Sequence, residues 1–177
     1  MAKLNDRARG SRTIGIDPGI TGAFVVIDEN GEITRSVRTP ILVLDGKKQY
    51  DINGMRDLVF RVRREVEDNG FLQAGIEKVH TLPSDGRVGA FRFGVGYGLW
   101  LGILSGSFTP YVEVLPQRWQ AKMLAGLPRG PQTKMSAVMA AKSLFPHIPI
   151  EHKADWGMAD AALIAEFVRR ERAGDRI

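Results

Sequence analysis

T-I-G-I-D-P-G-I-T-G-A-F-V-V-I, residues Thr13 to Ile27, reads as strand, tight turn and strand. Ile14 and Ile16 alternate with smaller residues up to Asp17. Pro18-Gly19 and Thr21-Gly22 punctuate the reversal, and Ala23 to Ile27 resumes an apolar, β-branched run. Asp28-Glu29-Asn30-Gly31 supplies the next turn, and Ile33 to Val37 alternates as a third strand. These three strands form an antiparallel meander. Asp17 is the peculiar residue. An apolar-flanked carboxylate at the head of a buried hairpin is costly unless paired, hydrogen-bonded or on a metal. Asp-Pro-Gly is also a common turn, so turn-former and functional acid are both open here.

Beyond the meander, Pro40 to Tyr50 reads as a connection with a turn at Asp45-Gly46. Asp51 is a candidate N-cap for a helix with Ile52, Met55, Leu58, Val59, Val62 and Val66 at helical spacing, stopped at Asn69-Gly70. Phe71 to Val79 reads as a fourth strand. A helix between two strands predicts a crossover, hence a strand parallel to one of the first three. Glu77 sits in this strand among apolar residues; an exposed edge position would explain it as well as a site would. His80 to Val88, including Arg87, is a loop bordering whatever Glu77 serves.

Val88 to Leu104 is apolar with five glycines. It lacks the spacing of a nucleotide-binding G-x-G-x-x-G, and no Lys-Ser/Thr follows. It predicts a helix with small residues at close approaches, with Phe91, Val95, Leu99 and Gly102 on one stripe that packs on the sheet or on a second subunit. A fifth strand at Tyr111–Leu115, a short helix at Gln117–Leu124 and a loop carrying Arg129 follow. Lys134–Phe145 is an Ala-rich helix marked by Lys134 and Lys142 and stopped by Pro146. The last helix runs from Gly157 to Arg170, with Asp160 in its first turn, where the helix dipole alone favours an acid. Trp100 and Trp119 read as packing residues.

The chain has 177 residues, 44% hydrophobic, which suits one domain with a sizeable core. We expect a basic flexible arm at 1–12, a single domain at 13–170 and a tail at 171–177. Twenty-five Lys and Arg against 20 Asp and Glu give +5, which favours an anionic partner such as nucleic acid. The absence of cysteine removes disulfides, thiolate catalysis and Cys-ligated metal sites. No run reads as a membrane span, and the first twelve residues have no apolar core like that of a secretory signal. The expectation is a protein of the cytoplasm or of an organellar matrix, not secreted, with no membrane partner.

The predicted order gives an α/β fold: a mixed five-stranded sheet, antiparallel meander then parallel strands, flanked by helices. In such a sheet Asp17, Glu77 and Asp160 can converge. Clustered carboxylates persist with bound cations or protons, and oxygen-only ligands suit Mg²⁺ or Mn²⁺. Two such ions about 4 Å apart can activate water and stabilise the leaving oxygen in phosphodiester cleavage.

I-G-I-D-P-G-I-T-G-A, G-I-E-K-V, F-R-F-G-V-G-Y-G-L-W-L-G-I-L, V-L-P-Q-R-W-Q, K-S-L-F-P and G-M-A-D-A-A-L-I-A-E-F, in that order, resemble the RuvC-type Holliday junction resolvases of the RNase H-like superfamily, nearest the divergent phage and organelle-type members. The resemblance spans residues 13 to 168. It implies a homodimer that cuts four-way DNA junctions, two Mg²⁺ or Mn²⁺ ions per site, and Asp17, Glu77 and Asp160 as metal ligands. It also implies a fourth ligand. The commonest bacterial pattern puts an acid at the position of Gly157, whereas phage-like members often read His-Asp-Gly-x-Ala-Asp. That alignment makes Asp155 the fourth ligand, with helix capping as its other reading and His152 as a weaker candidate. DNA contacts fall to Lys134, Arg129, His80, Arg87 and Lys142. The rivals are a less selective branched-DNA or flap nuclease and a junction binder that does not cut. An ATP-binding actin-like fold opens similarly but needs about twice this length.

Overall fold

The computed structural model describes residues 10–66, 70–78 and 86–174. The meander is β1 (Arg12–Asp17), β2 (Ala23–Asp28) and β3 (Ile33–Arg38). A small hairpin follows, β4 (Ile41–Leu44) and β5 (Lys47–Tyr50), then α1 (Ile52–Glu65) and β6 (Leu72–Glu77). The chain continues through α2 (Arg87–Gly106), β7 (Tyr111–Val114), α3 (Pro116–Met123), α4 (Thr133–Leu144) and α5 (Trp156–Ala173). Single 3-10 turns precede α4 and α5, at Gly130–Gln132 and Lys153–Asp155.

The main sheet has the order β3-β2-β1-β6-β7. β1 is antiparallel to β2, β2 to β3, and β6 runs parallel to both β1 and β7. The fold is therefore the mixed five-stranded sheet expected. Its turns follow from local chemistry. Asp28 Oδ1 accepts the N–H groups of Asn30 and Glu32, each at 2.9 Å, and Gly31 supplies a φ of +85°. Asp51 caps α1 by accepting from Gly54 N at 2.9 Å.

Strand alternation builds two cores. Ile14, Ile16, Phe24, Val26, Leu72, Ala74 and Ile76 point to one face, where Met55, Val59 and Val62 of α1 and Trp100 and Leu104 of α2 cover them. Phe24 stacks on Trp100 with ring centroids 5.7 Å apart. Ala23, Val25 and Ile27 point to the other face, beneath α3, α4 and an α5 buried continuously from Gly157 to Val168. α5 lies close enough to β1 that a Cβ on Gly15 would stand 1.9 Å from the Ala161 carbonyl oxygen, which only glycine tolerates.

Several boundaries differ from expectation. Residues 40–50 form a hairpin because Asp45, at φ +49°, and Gly46, at φ +71°, close a tight turn that a mostly exposed ladder follows. α1 ends at Glu65, ahead of the expected Asn69-Gly70 stop, with Val66 already extended. The arm does not reach residue 12: Arg12 opens β1, its N–H donates to the Phe71 carbonyl at 2.7 Å, and buried Ser11 accepts from Phe71 N at 3.0 Å. Nor does the tail begin at 171. α5 continues to Ala173, where Glu171 pairs with Arg118 at 2.6 Å and Arg172 lies 4.2 Å from the Phe71 ring centroid. Residues 1–9 and 175–177 lie outside the described residues.

α2 departs in two ways. By length and composition alone its 20 residues are apolar enough to cross a membrane, a length the sequence reading had not given it. Its burial shows how the fold uses it: Gly96, Trp100 and Leu104 face the core. Of the two places expected for the stripe of Phe91, Val95, Leu99 and Gly102, the sheet and a second subunit, Phe91 and Val95 do not take the first: they are 73% and 38% exposed.

Candidate active site

The period of two that builds the cores also places the acids. With Ile14 and Ile16 under α1 and α2, Gly15 and Asp17 must point to the α5 side. With Leu72, Ala74 and Ile76 on the same face as those isoleucines, Gly75 and Glu77 point to the α5 side too. Ile16 is in register with Ile76, so Asp17 and Glu77 follow side by side at the ends of adjacent parallel strands. α5 supplies the third acid: Asp160 precedes the Ala161 carbonyl that stands over Gly15. It is 3% exposed.

Each carboxylate is held by a different donor. Gly19 N donates to Asp17 Oδ1 at 3.4 Å, so the turn-forming role read from Asp-Pro-Gly coexists with the site. Lys134, in the first turn of α4, donates its Nζ to Asp160 Oδ2 in an ion pair. Trp119 of α3 donates its indole Nε1–H to Glu77 Oε1 at 3.0 Å. Asp17, Glu77 and Lys134 line a cleft of about 730 Å³ together with Tyr50, Arg92 and Phe93. Asp160 lies beneath Lys134.

The electrostatics describe an anion-rich site short of positive charge. Burial, then the charge of Asp160, raises the Asp17 pKa to about 6, against the pull of Lys134 and the Gly19 N–H. Burial, then the charges of Asp17 and Asp160, raises Glu77 to about 7. Burial also pushes Asp160 up, against the ion pair and hydrogen bond from Lys134. Burial alone would lower the Lys134 ammonium pKa. The ion pair and hydrogen bond with Asp160, aided by Asp17 and Glu77, outweigh it, and Lys134 is displaced upward. One lysine thus faces three carboxylates. Among the described residues no three His, Asp or Glu side chains are gathered tightly enough to hold an ion as they stand. The donor set nevertheless fits a hard divalent cation: oxygen ligands only, close enough for their charges to act on one another, and all three held above their ordinary pKa values chiefly by burial.

Asp155 is placed differently from the trio. Its Oδ1 accepts from Arg38 Nε at 2.7 Å, and the Arg38 Nη2 contact closes an ion pair. Its Oδ2 accepts from His152 N at 2.9 Å and Glu151 N at 3.2 Å. These bonds hold its pKa below the ordinary carboxylate value, the His152 N–H foremost and Arg38 next. Asp155 is absent from the charges that shift Asp17, Glu77 and Asp160. The Asp155 side chain makes no cap bond to α5; it closes the capping box of the 3-10 turn just ahead of that helix. His152 is exposed and accepts within the same capping box. Gly157 has a physical reason to lack an acid. A Cβ there would lie 2.7 Å from the Thr21 carbonyl oxygen and 2.9 Å from Gly22 Cα.

Of the expected DNA contacts, Lys134 is part of the acid cluster itself. Arg129 is exposed and donates to the Ala121 carbonyl at 3.3 Å; Arg87, at the start of α2, and Lys142, in the last turn of α4, are exposed off the cleft lining. His80 lies outside the described residues. Arg92 and Trp119 were not singled out for function. Arg92 could have been found as the cation one helical turn inside the loop after Glu77. For Trp119 the sequence gives no signal beyond a buried aromatic, and only the folded chain shows its hydrogen bond to Glu77.

The mixed five-stranded sheet flanked by helices is a fold found in solved Holliday junction resolvases. The chain superposes on Thermus thermophilus RuvC, solved in complex with a Holliday junction substrate, with a TM-score of 0.63 and 15% identity over 93% of this chain and 97% of that one. On the yeast mitochondrial Holliday junction resolvase Ydc2 the TM-score is 0.50 and the identity 16%, over 96% of this chain and 83% of that one. In sequence, 94 residues are 36% identical to the chloroplastic Holliday junction resolvase MOC1 of Chlamydomonas reinhardtii. That match takes in 52% of this chain and about a tenth of the relative's length. No protein-family profile matches the chain.

Proposed function

We propose that the chain is a divalent-metal-dependent endonuclease that cuts four-way DNA junctions as a homodimer. The observation that carries this reading is that Asp17 and Glu77, from two parallel strand ends, line one cleft with Lys134, and that Asp160 of α5 is paired with that lysine and acts on both acids by its charge. The RuvC-type fold and the sequence match to a junction resolvase support it, as does the +5 net charge. Residues 12–173, from the start of β1 to the end of α5, form the nuclease unit of this reading. The chloroplast relative suits an organellar setting as well as a bacterial one.

Asp17, Glu77 and Asp160 are the residues that would hold Mg²⁺ or Mn²⁺, two ions per site. Bound ions would polarise the scissile phosphate and lower the pKa of water near it. The chain's own contribution is placement. β1 and β6 fix Asp17 and Glu77 in register, and α5 brings Asp160 down through the gap above Gly15. Lys134, 58% exposed at its side chain, can turn from Asp160 to a DNA phosphate once the carboxylates have other counter-charge. Arg92, which also lines the cleft, offers a second phosphate contact.

The test is a nicking assay on a synthetic four-way junction beside linear duplex and a flap, with Mg²⁺, Mn²⁺ or EDTA. Paired nicks on the junction are expected, abolished by EDTA and reduced about 10³-fold or more by Asp17→Asn. Equal cutting of flap and junction would make the protein a general branched-DNA nuclease. Junction binding without cutting in either metal would leave a binding module on a nuclease fold.

A further inference from the structure

Trp119 and Trp100 are both fully buried large aromatic residues, yet their indole nitrogens meet different fates. Trp100 Nε1 has no hydrogen-bond partner and the ring serves packing. Trp119 Nε1 is aimed at Glu77 Oε1. Glu77 has the longest side chain of the three acids, and Trp119 is its hydrogen-bond donor. Asp17 is tied to its own turn and Asp160 to Lys134, whereas Glu77 has one more rotatable bond than either. Its Oε2 accepts no hydrogen bond among the described residues.

We propose that Trp119 is a positioning residue for the metal site: its indole N–H holds Glu77 Oε1 and thereby presents the other oxygen to a divalent cation. This rests on the metal-dependent nuclease reading. A neutral donor suits the task better than a second cation. It fixes the carboxylate without adding a charge that competes with the ion, which Lys134 does. The rest of the ring is locked by the core formed with Val114 and the underside of α5. Pro116, at the first position of α3, sets the helix that carries it directly after β7, the strand paired with β6. The donor is thereby built into the framework next to the strand that ends in Glu77, as a supporting shell must be to set an ion ligand within a fraction of an ångström.

Calorimetric titration of Mn²⁺ and Mg²⁺ into the DNA-free protein tests this. Trp119→Phe is expected to weaken ion binding roughly 10–100-fold. Should the phenylalanine leave a void that unfolds the chain, β-(3-benzothienyl)alanine at position 119 keeps the two-ring shape and removes only the N–H; the same loss is expected. An independent readout is the indole N–H resonance of Trp119, which should shift on Glu77→Gln and on ion addition, while that of Trp100 should not. Unchanged ion affinity in the benzothienyl variant would overturn the role of Trp119 and leave the nuclease reading standing. Wild-type protein that binds no divalent ion would overturn both.

Discussion

At Lys134 the site carries its own counter-ion. The ammonium shares the cluster with three carboxylates and is hydrogen-bonded to the most deeply buried of them. A cation in that place competes with a divalent ion for the same negative charge, and its departure removes the competition. Lys134→Met is therefore expected to tighten Mn²⁺ binding to the DNA-free protein by about tenfold, one pK unit of electrostatic interaction. The same variant should cut junctions more slowly, because the lysine that reaches the phosphate is gone. Titration calorimetry beside the nicking assay separates the two effects; equal or weaker ion binding would show that Lys134 supports the carboxylates instead of competing for them. Lys134 stood out in the sequence only as a candidate DNA contact implied by the resemblance. Its partner was not legible there, because the 26 residues between Lys134 and Asp160 are bridged by the packing of α4 on α5.

The start of α5 shows what an element must do to bring an acid to a sheet. The helix has to begin at one height above β1 and approach it closely, and two features set this. Glycine at 157 lets the first turn rest on the Thr21–Gly22 backbone. The Asp155 carboxylate ties the preceding 3-10 turn to Arg38 at the end of β3 and to the backbone N–H groups of Glu151 and His152. Asp155→Asn should cost about 1–2 kcal/mol, the usual range for losing a cap and charge-assisted bonds. It should leave the intrinsic ion affinity close to that of the wild type. Thermal unfolding in EDTA together with ion titration checks both halves. A large loss of affinity at unchanged stability would make Asp155 a metal ligand after all. Spacing along the chain could not choose between ligand and cap, since both require a carboxylate just ahead of the helix. The choice lies in where Arg38 arrives, and that is set by the pairing of β3 with β2, which places Arg38 opposite Ala23.

Across the molecule, the raised acids couple the site to stability. The folded-state pKa of Asp17 is about 6 against an ordinary 3.8, and that of Glu77 about 7 against 4.5. Between those limits the folded chain retains protons that the unfolded chain has released. Their contribution is fully present below about pH 4 and is lost as pH rises through about 6 to 7. Metal-free protein should therefore melt lower at pH 8 than at pH 5, by several degrees more than an Asp17→Asn, Glu77→Gln double variant does. Ions that bind the deprotonated carboxylates reverse the trend, so the gain in melting temperature on adding Mg²⁺ should be larger at pH 8 than at pH 5. A wild-type pH dependence identical to that of the double variant would remove the raised carboxylates from the balance. Asp155 and Glu166, held below their ordinary values, titrate in the opposite sense and are common to both proteins.

Periodicity along the chain was enough for the meander, the crossover to β6 and the helices. Those features rest on local rules: alternation, turn chemistry and caps. The cost of an acid among apolar residues marked Asp17 and Glu77 as candidates only, and the family resemblance made them, with Asp160, a proposed metal site. The β4–β5 hairpin escaped because a mostly exposed ladder carries no apolar alternation to read. The stripe of Phe91 and Val95 on α2 stayed open between the sheet and a second subunit because an apolar helix rich in glycine has no polar face to orient it. What holds each acid belongs to three-dimensional packing. The Trp119 donor, the Lys134 counter-charge and the Arg38 clasp on Asp155 join residues 42, 26 and 117 positions apart. No spacing rule reaches that far. Such pairs are fixed only when the sheet register and the seat of α5 on β1 are in place.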